Sequence, residues 1–240
     1  MLPQSHLVVP GLPKSANVFI QRTLELTLGC HFVRFVTPSQ NIIPEKFDEF
    51  LACEHAVGGE HLLANEHNLG LLAAQNVHKV ALLIRDPRDA LISWWKHFHR
   101  SDMKARANEL ISGGFLPQGY YELEPQQQLR QHIERDYSFF QNWITDWTKV
   151  AESSSGPECH VLRYEEFVAD QRRSVHRLLT FFGHDVDPVF PDTQGARDAG
   201  IHTETHFRRG RVGSHKDEAA PELIALLNER LSTDLAARFD

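Results

Sequence analysis

Leu7-Val8-Val9-Pro10-Gly11-Leu12-Pro13-Lys14-Ser15-Ala16-Asn17-Val18-Phe19 decides the reading of this chain. A short apolar run predicts a buried strand over Leu7–Pro10, broken at Pro10-Gly11. The chain then passes Pro13 and opens onto a helical pattern over Asn17–Leu28. A strand, loop and helix in this order aim backbone N–H groups and a helix N-terminus at one spot, which makes a ready anion site. Lys14 adds a full positive charge, so the loop suits phosphate or sulfate. It is not a Walker A loop, which requires a glycine directly before its Lys-Ser/Thr pair; here Pro13 precedes Lys14-Ser15.

Three further stretches repeat the theme of an anion site at strand ends. Lys79–Ile84 is a near-continuous apolar strand followed by Arg85-Asp86-Pro87-Arg88-Asp89, with Ser93 eight residues beyond Arg85. An arginine at a strand end and a serine on the following helix can both reach one phosphate, and the planar guanidinium fork suits its oxygens. Tyr164 ends a predicted strand over His160–Tyr164. Phe207-Arg208-Arg209-Gly210-Arg211 is a basic, glycine-containing run near the C-terminus. Helical patterns over Pro87–His99, Gln126–Val150 and Glu166–Phe182 alternate with strands over His31–Phe35 and His61–Asn65. This pattern predicts an α/β fold whose mostly parallel central sheet is covered on both faces, with ligands bound beyond the C-terminal strand ends.

These four segments, in this order, resemble the sulfotransferases that use 3′-phosphoadenosine 5′-phosphosulfate (PAPS). The family's phosphosulfate loop reads roughly Pro-Lys-Ser-Gly-Thr-Thr-Trp. This chain has Pro13, Lys14 and Ser15 in register, Phe19 stands in for the tryptophan, and Ala16 for glycine and Val18 for threonine are departures. The resemblance spans Leu7 to Lys216. It implies a three-layer, P-loop NTPase-like sulfotransferase fold in one domain over 1–240. In that family Lys14 and Ser15 would meet the phosphosulfate, and the backbone N–H groups of Ala16, Asn17, Val18 and Phe19 would hold the 5′-phosphate. Arg85 and Ser93 would hold the 3′-phosphate, joined by Arg208 and Arg209, with Gly210 allowing close backbone approach. Tyr164 would lie near the adenine, with Phe19 as a second aromatic candidate. The donor implied is PAPS, the product adenosine 3′,5′-bisphosphate (PAP), and no metal is required.

Sulfuryl transfer takes a proton from an acceptor hydroxyl or amine, and a histidine is matched to that task. The resemblance places such a histidine after a strand, some twenty residues before the 3′-phosphate arginine. His67 fits by spacing, with Glu66 as the alternative; His61 falls at the start of the predicted strand and is expected to point away. Residues 100–125, rich in Gly, Pro and Tyr without clean periodicity, are expected to form a flexible cover over the acceptor site. Trp94, Trp95, Phe98, Phe115, Tyr120 and Tyr121 near it suggest a small aromatic or apolar acceptor.

Composition bounds the alternatives. A chain of 240 residues with 41% hydrophobic and 24% charged residues suits one globular domain. A net charge of −7 argues against nucleic-acid binding. No apolar run has the length of a membrane span, and no leader-like segment precedes the first strand. Cys30, Cys53 and Cys159 are scattered, which suits reduced thiols and a cytoplasmic setting. His97 and His99 are a closely spaced pair without further metal-ligand spacing. A homo-oligomer is compatible with the sequence. The competing readings are a P-loop nucleotide kinase and a non-catalytic nucleotide-binding protein of the same fold.

Overall fold

The structure, a computed structural model, describes residues 5–192 and 210–240. Five parallel strands form one sheet, β1 (Ser5–Val8), β2 (His31–Phe32), β3 (His55–Gly58), β4 (Lys79–Ile84) and β5 (Glu158–Arg163), in the order β2-β3-β1-β4-β5. This is the expected α/β architecture. β1 sits at the centre, so the loop that follows it emerges from the middle of the sheet. Pairing continues past the end of β1: the Val9 amide donates to the Gly58 carbonyl, and Leu12 N–H to the Leu83 carbonyl. Leu83 N–H in turn donates to the carbonyl of Pro10 at 2.9 Å.

The chain divides into two compact units, Met1–Arg85 with Trp143–Arg211, and Asp86–Asn142 with Val212–Asp240. The first carries the whole sheet. Its helices are α1 (Asn17–Leu28), α2 (Pro44–Ala52), α3 (Glu66–Ala74), α9 (Tyr164–Ala169) and α10 (Gln171–Phe181). Its core joins Leu7 and Val9, Ile20 and Leu24, Ala81 and Leu83, and Phe167, Val175 and Leu178. β4 is buried from Val80 to Ile84, as its unbroken apolar run requires between covered faces.

The second unit contains α4 (Pro87–His97), α5 (Ser101–Ala105), α6 (Ala107–Ser112), α7 (Pro125–Arg135), α11 (His215–Glu218), α12 (Pro221–Arg230) and α13 (Thr233–Phe239). Residues 100–125, expected as a loop, hold α5, α6 and a 3-10 turn at Tyr120–Glu122. They are fastened from inside. Phe98, Leu110, Leu116 and Tyr120 form a buried cluster. The Tyr120 hydroxyl lies 2.8 Å from His132 Nε2, while His132 Nδ1 donates to Asp136 at 2.6 Å.

Three other expectations shift. The long helix over Gln126–Val150 is two, α7 and α8 (Tyr137–Glu152), separated at Asp136. Glu166–Phe182 likewise divides at Asp170, whose carboxylate caps α10 by accepting from the Arg173 amide. Most consequential, His61–Asn65 is not a strand: β3 ends at Gly58.

Candidate active site

The loop from Gly11 to Ala16 is the hinge between β1 and α1. Its backbone is strained at two places: Lys14 has φ 71° and Ala16 φ 67°, both left-handed. The two left-handed residues flank Ser15, whose N–H turns back to the Leu12 carbonyl at 3.2 Å; turns with such left-handed residues can form anion-binding concavities. Ala16 occupies the N-cap of α1 and offers no side-chain oxygen, so no side chain caps that helix end. The first N–H groups of α1 are therefore presented without an intrahelical partner.

Arg85, at the end of β4, is 5% exposed. One of its terminal nitrogens donates to the Lys14 carbonyl at 3.0 Å, the other to the Arg211 carbonyl at 3.1 Å. Its guanidinium lies 4.0 Å above the ring of Tyr164, the first residue of α9. One arginine thus joins the loop after β1, the C-terminal basic run and a tyrosine. Its Nε is buried without a partner, as are Ser15 Oγ and Asn17 Oδ1. Three orphaned polar atoms in one loop cluster mark a place built to meet a polar group.

The histidine at this loop is His61, not His67. His61 Nδ1 lies 2.7 Å from the Gly11 carbonyl, which accepts its proton. That bond leaves Nε2 with the lone pair in the neutral ring. Burial, with Lys14 and Arg34 nearby, lowers its pKa from the ordinary 6.5, against the opposing pull of the Gly11 carbonyl and Glu60. The segment is fixed one residue further on: the Trp143 and Trp147 indoles both donate to the Leu62 carbonyl, at 3.0 and 2.7 Å. His67 and Glu66 stand exposed on the first turn of α3, behind the Asn65 cap. The strand end sets these positions. The apolar run Leu62-Leu63-Ala64 mimics a strand, whereas the true strand ends at Gly58, so His61 follows it instead of opening it.

Other predicted site residues are placed as follows. The Phe19 ring is buried and packs against Phe167 and Phe190, so it serves the core and is not available to stack on adenine. Ser93 lies half-buried on α4 in the second unit. Gly210 is described, with φ 60°; Arg208 and Arg209 lie outside the described residues. Of the aromatic residues assigned to the acceptor, Trp95, Phe98 and Tyr120 are buried, whereas Phe115 is exposed. Their burial gives them to the packing of the second unit.

Asp89, on the first turn of α4, escaped the sequence reading. Its buried carboxylate accepts from the amides of Gly213 and His215, the Ser214 hydroxyl and His215 Nδ1, at 2.6 to 3.2 Å. Within the second unit it anchors the start of α11. Among the described residues, no group of three or more His, Cys, Asp or Glu side chains is arranged to hold a metal, and no helix is long and apolar enough to cross a membrane.

The model of the sulfotransferase domain family matches residues 67–237. No curated protein matches the chain. Among solved structures, a mouse sulfotransferase complexed with PAP superposes with a TM-score of 0.65 at 16% identity, over 99% of this chain and 88% of that one. A retinol dehydratase complexed with retinol and PAP gives 0.59 at 14% identity, over 95% and 80%. At such identities the likeness is one of fold, and it extends over nearly the whole chain. With well over half of its length matched, the chain belongs to the sulfotransferase family.

Proposed function

We propose that this sulfotransferase moves the sulfuryl group of PAPS to a hydroxyl or amine of a small acceptor, as a single domain spanning 1–240. The observation that carries the reading is the conjunction of the nested loop at Lys14–Ala16, the uncapped end of α1 and the Nδ1-bonded His61 beside them. The 5′-phosphate is assigned to the N–H groups of Ala16, Asn17, Val18 and Phe19. Ser15 is assigned a hydrogen bond to the phosphosulfate. Arg85 has donors left over for the 3′-phosphate. Ser93, Arg208, Arg209 and Gly210 are assigned to that phosphate, and Tyr164 to the adenine, on the sequence resemblance. Bound PAP in two fold relatives supports a nucleotide of this class.

The chemistry follows from charge. The acceptor oxygen or nitrogen forms a bond to sulfur while the bond from sulfur to the bridging 5′-phosphate oxygen breaks, leaving PAP. His61 Nε2 takes the acceptor's proton. Lys14 stabilises the negative charge that builds on the bridging oxygen. Most of the rate enhancement comes from alignment and electrostatics.

Calorimetric titration with PAP, with AMP and ATP as controls and no metal added, tests the donor site. Preference for PAP over AMP is expected; equal affinity would overturn the 3′-phosphate assignment. His61→Ala should bind PAP as the parent does and lose about 10²–10⁴-fold in turnover. Parent-like turnover would remove His61 from the role.

A further inference from the structure

Asn17 stands where the family loop has the first of its two threonines, and its side chain turns back onto the loop's own carbonyls. Its Nδ2 donates to the Leu12 carbonyl at 2.9 Å and more weakly to the Gly11 carbonyl at 3.3 Å. The same nitrogen lies 3.3 Å from His61 Nδ1. The Gly11 carbonyl is thus a shared acceptor: His61 Nδ1–H arrives at 2.7 Å, and Asn17 Nδ2–H arrives beside it. Gly11 is the residue that makes room. A Cβ there would fall 1.8 Å from Asn17 Oδ1, so any side chain at position 11 would expel the carboxamide.

We infer that Asn17 is a positioning residue for His61: its carboxamide aims the Gly11 carbonyl at His61 Nδ1 and thereby holds the Nδ1–H tautomer. The inference rests on the reading of His61 as the proton acceptor, and it names what keeps the Nε2 lone pair available. A neutral imidazole offers a lone pair at only one nitrogen. If the loop carbonyl turned away, the proton could move to Nε2 and the ring would lose its basic face toward the acceptor. Asn17 acts from a helix position whose own backbone N–H is assigned to the 5′-phosphate. Phosphate grip and base orientation therefore share one residue, and both stand on the first turn of α1.

The groups facing His61 are Glu60 on its own segment, Lys14 from the phosphate loop, Arg34 from the chain after β2, and the Asn17 amide. An isosteric Asn17→Asp replacement removes the donors to Leu12 and Gly11. It also sets a carboxylate beside Nδ1, which favours the imidazolium.

The test is imidazole NMR on ¹⁵N-labelled protein saturated with PAP, following His61 through a pH titration in the parent, Asn17→Ala and Asn17→Asp. The parent is expected to show the Nδ1–H tautomer and to titrate below 6.5. Asn17→Ala should populate the Nε2–H form, and Asn17→Asp should raise the His61 midpoint by about one unit or more. The melting temperature and far-UV circular dichroism of both variants should stay near the parent's, which separates this role from a collapse of the loop. An unchanged tautomer in Asn17→Ala together with an unchanged midpoint in Asn17→Asp would overturn the inference. The reading beneath it fails separately, if His61→Ala keeps its turnover of PAPS with a panel of small phenols and amines.

Discussion

Ala16→Gly should stabilise this protein, although alanine-to-glycine changes ordinarily do the reverse. Ala16 sits at φ 67°, a conformation that costs a non-glycine residue about 1–2 kcal/mol. Glycine removes that strain. Two effects oppose the gain. The more flexible unfolded chain costs about 0.4–1 kcal/mol. The half-buried methyl, which touches the core of the first unit, is worth about half of the ~0.8 kcal/mol of a fully buried carbon. The balance is a gain of about 0.5 kcal/mol, or a rise in Tm of about 1–2 °C for a chain of this size. Ala225→Gly, in the exposed interior of α12, is the control. It has no strain to release and should lose about 1 kcal/mol and about 2–4 °C. Differential scanning calorimetry of both variants beside the parent gives the contrast. A fall in Tm for Ala16→Gly as large as that of the control would refute the reasoning, because it would mean that the left-handed turn stores no strain. Lys14 carries the same conformation, with φ 71°.

Other outcomes can be checked alongside. Lys14→Ala should leave PAP binding measurable and cut turnover by two or more orders of magnitude; an effect on affinity alone would contradict its place at the bridging oxygen. Arg85→Ala should weaken PAP about 10–100-fold, the loss of charge-assisted hydrogen bonds, and parent-like affinity in a titration would remove it from the 3′-phosphate. Asp89→Ala strands four buried donors and should cost about 3 kcal/mol or more in a urea titration; a loss under 1 kcal/mol would show that α11 does not depend on it. Because His61 has its pKa lowered in the folded state, its neutral form should persist below pH 6.5. Turnover should therefore stay level from pH 8 down past 6.5 and then fall. The folded state binds fewer protons there than the unfolded chain, so this residue's contribution to stability is present above pH 6.5 and is lost as pH falls through the lowered value. An acid limb at or above 6.5 in the rate profile would contradict the burial argument.

The legible parts of the chain were those where local chemistry and fold agree. Lys79–Ile84 is one apolar strand with an arginine at its end, and Asn17–Leu28 is a helix closed by Gly29; both boundaries hold to the residue. The strand expected over His61–Asn65 failed because burial, not periodicity, governs residues 59–65. Leu62 is apolar and fully buried, yet it is buried as a loop residue whose carbonyl is claimed by two indoles from α8. Nothing within ten residues of Leu62 announces that. The aromatic residues of 94–121 show the same limit. A tryptophan such as Trp95 packs a core or lines a ligand with equal ease, and its role is set by neighbours far along the chain. Asp89 was hidden because its partners are more than 120 residues away, beyond any spacing rule.

The double indole clamp on Leu62 gives the segment of His61 an optical reporter of its own. Two of the four tryptophans in the chain donate to that single carbonyl. Indole emission responds to loss of a hydrogen bond and to entry of solvent, so any rearrangement of the His61 segment when a ligand fills the neighbouring loop is written into the protein's intrinsic fluorescence. Replacing Trp143 and Trp147 by phenylalanine one at a time would separate the two signals. It would also leave the other indole to hold the carbonyl, so that motion of the His61 segment could be timed by stopped flow without attaching a dye.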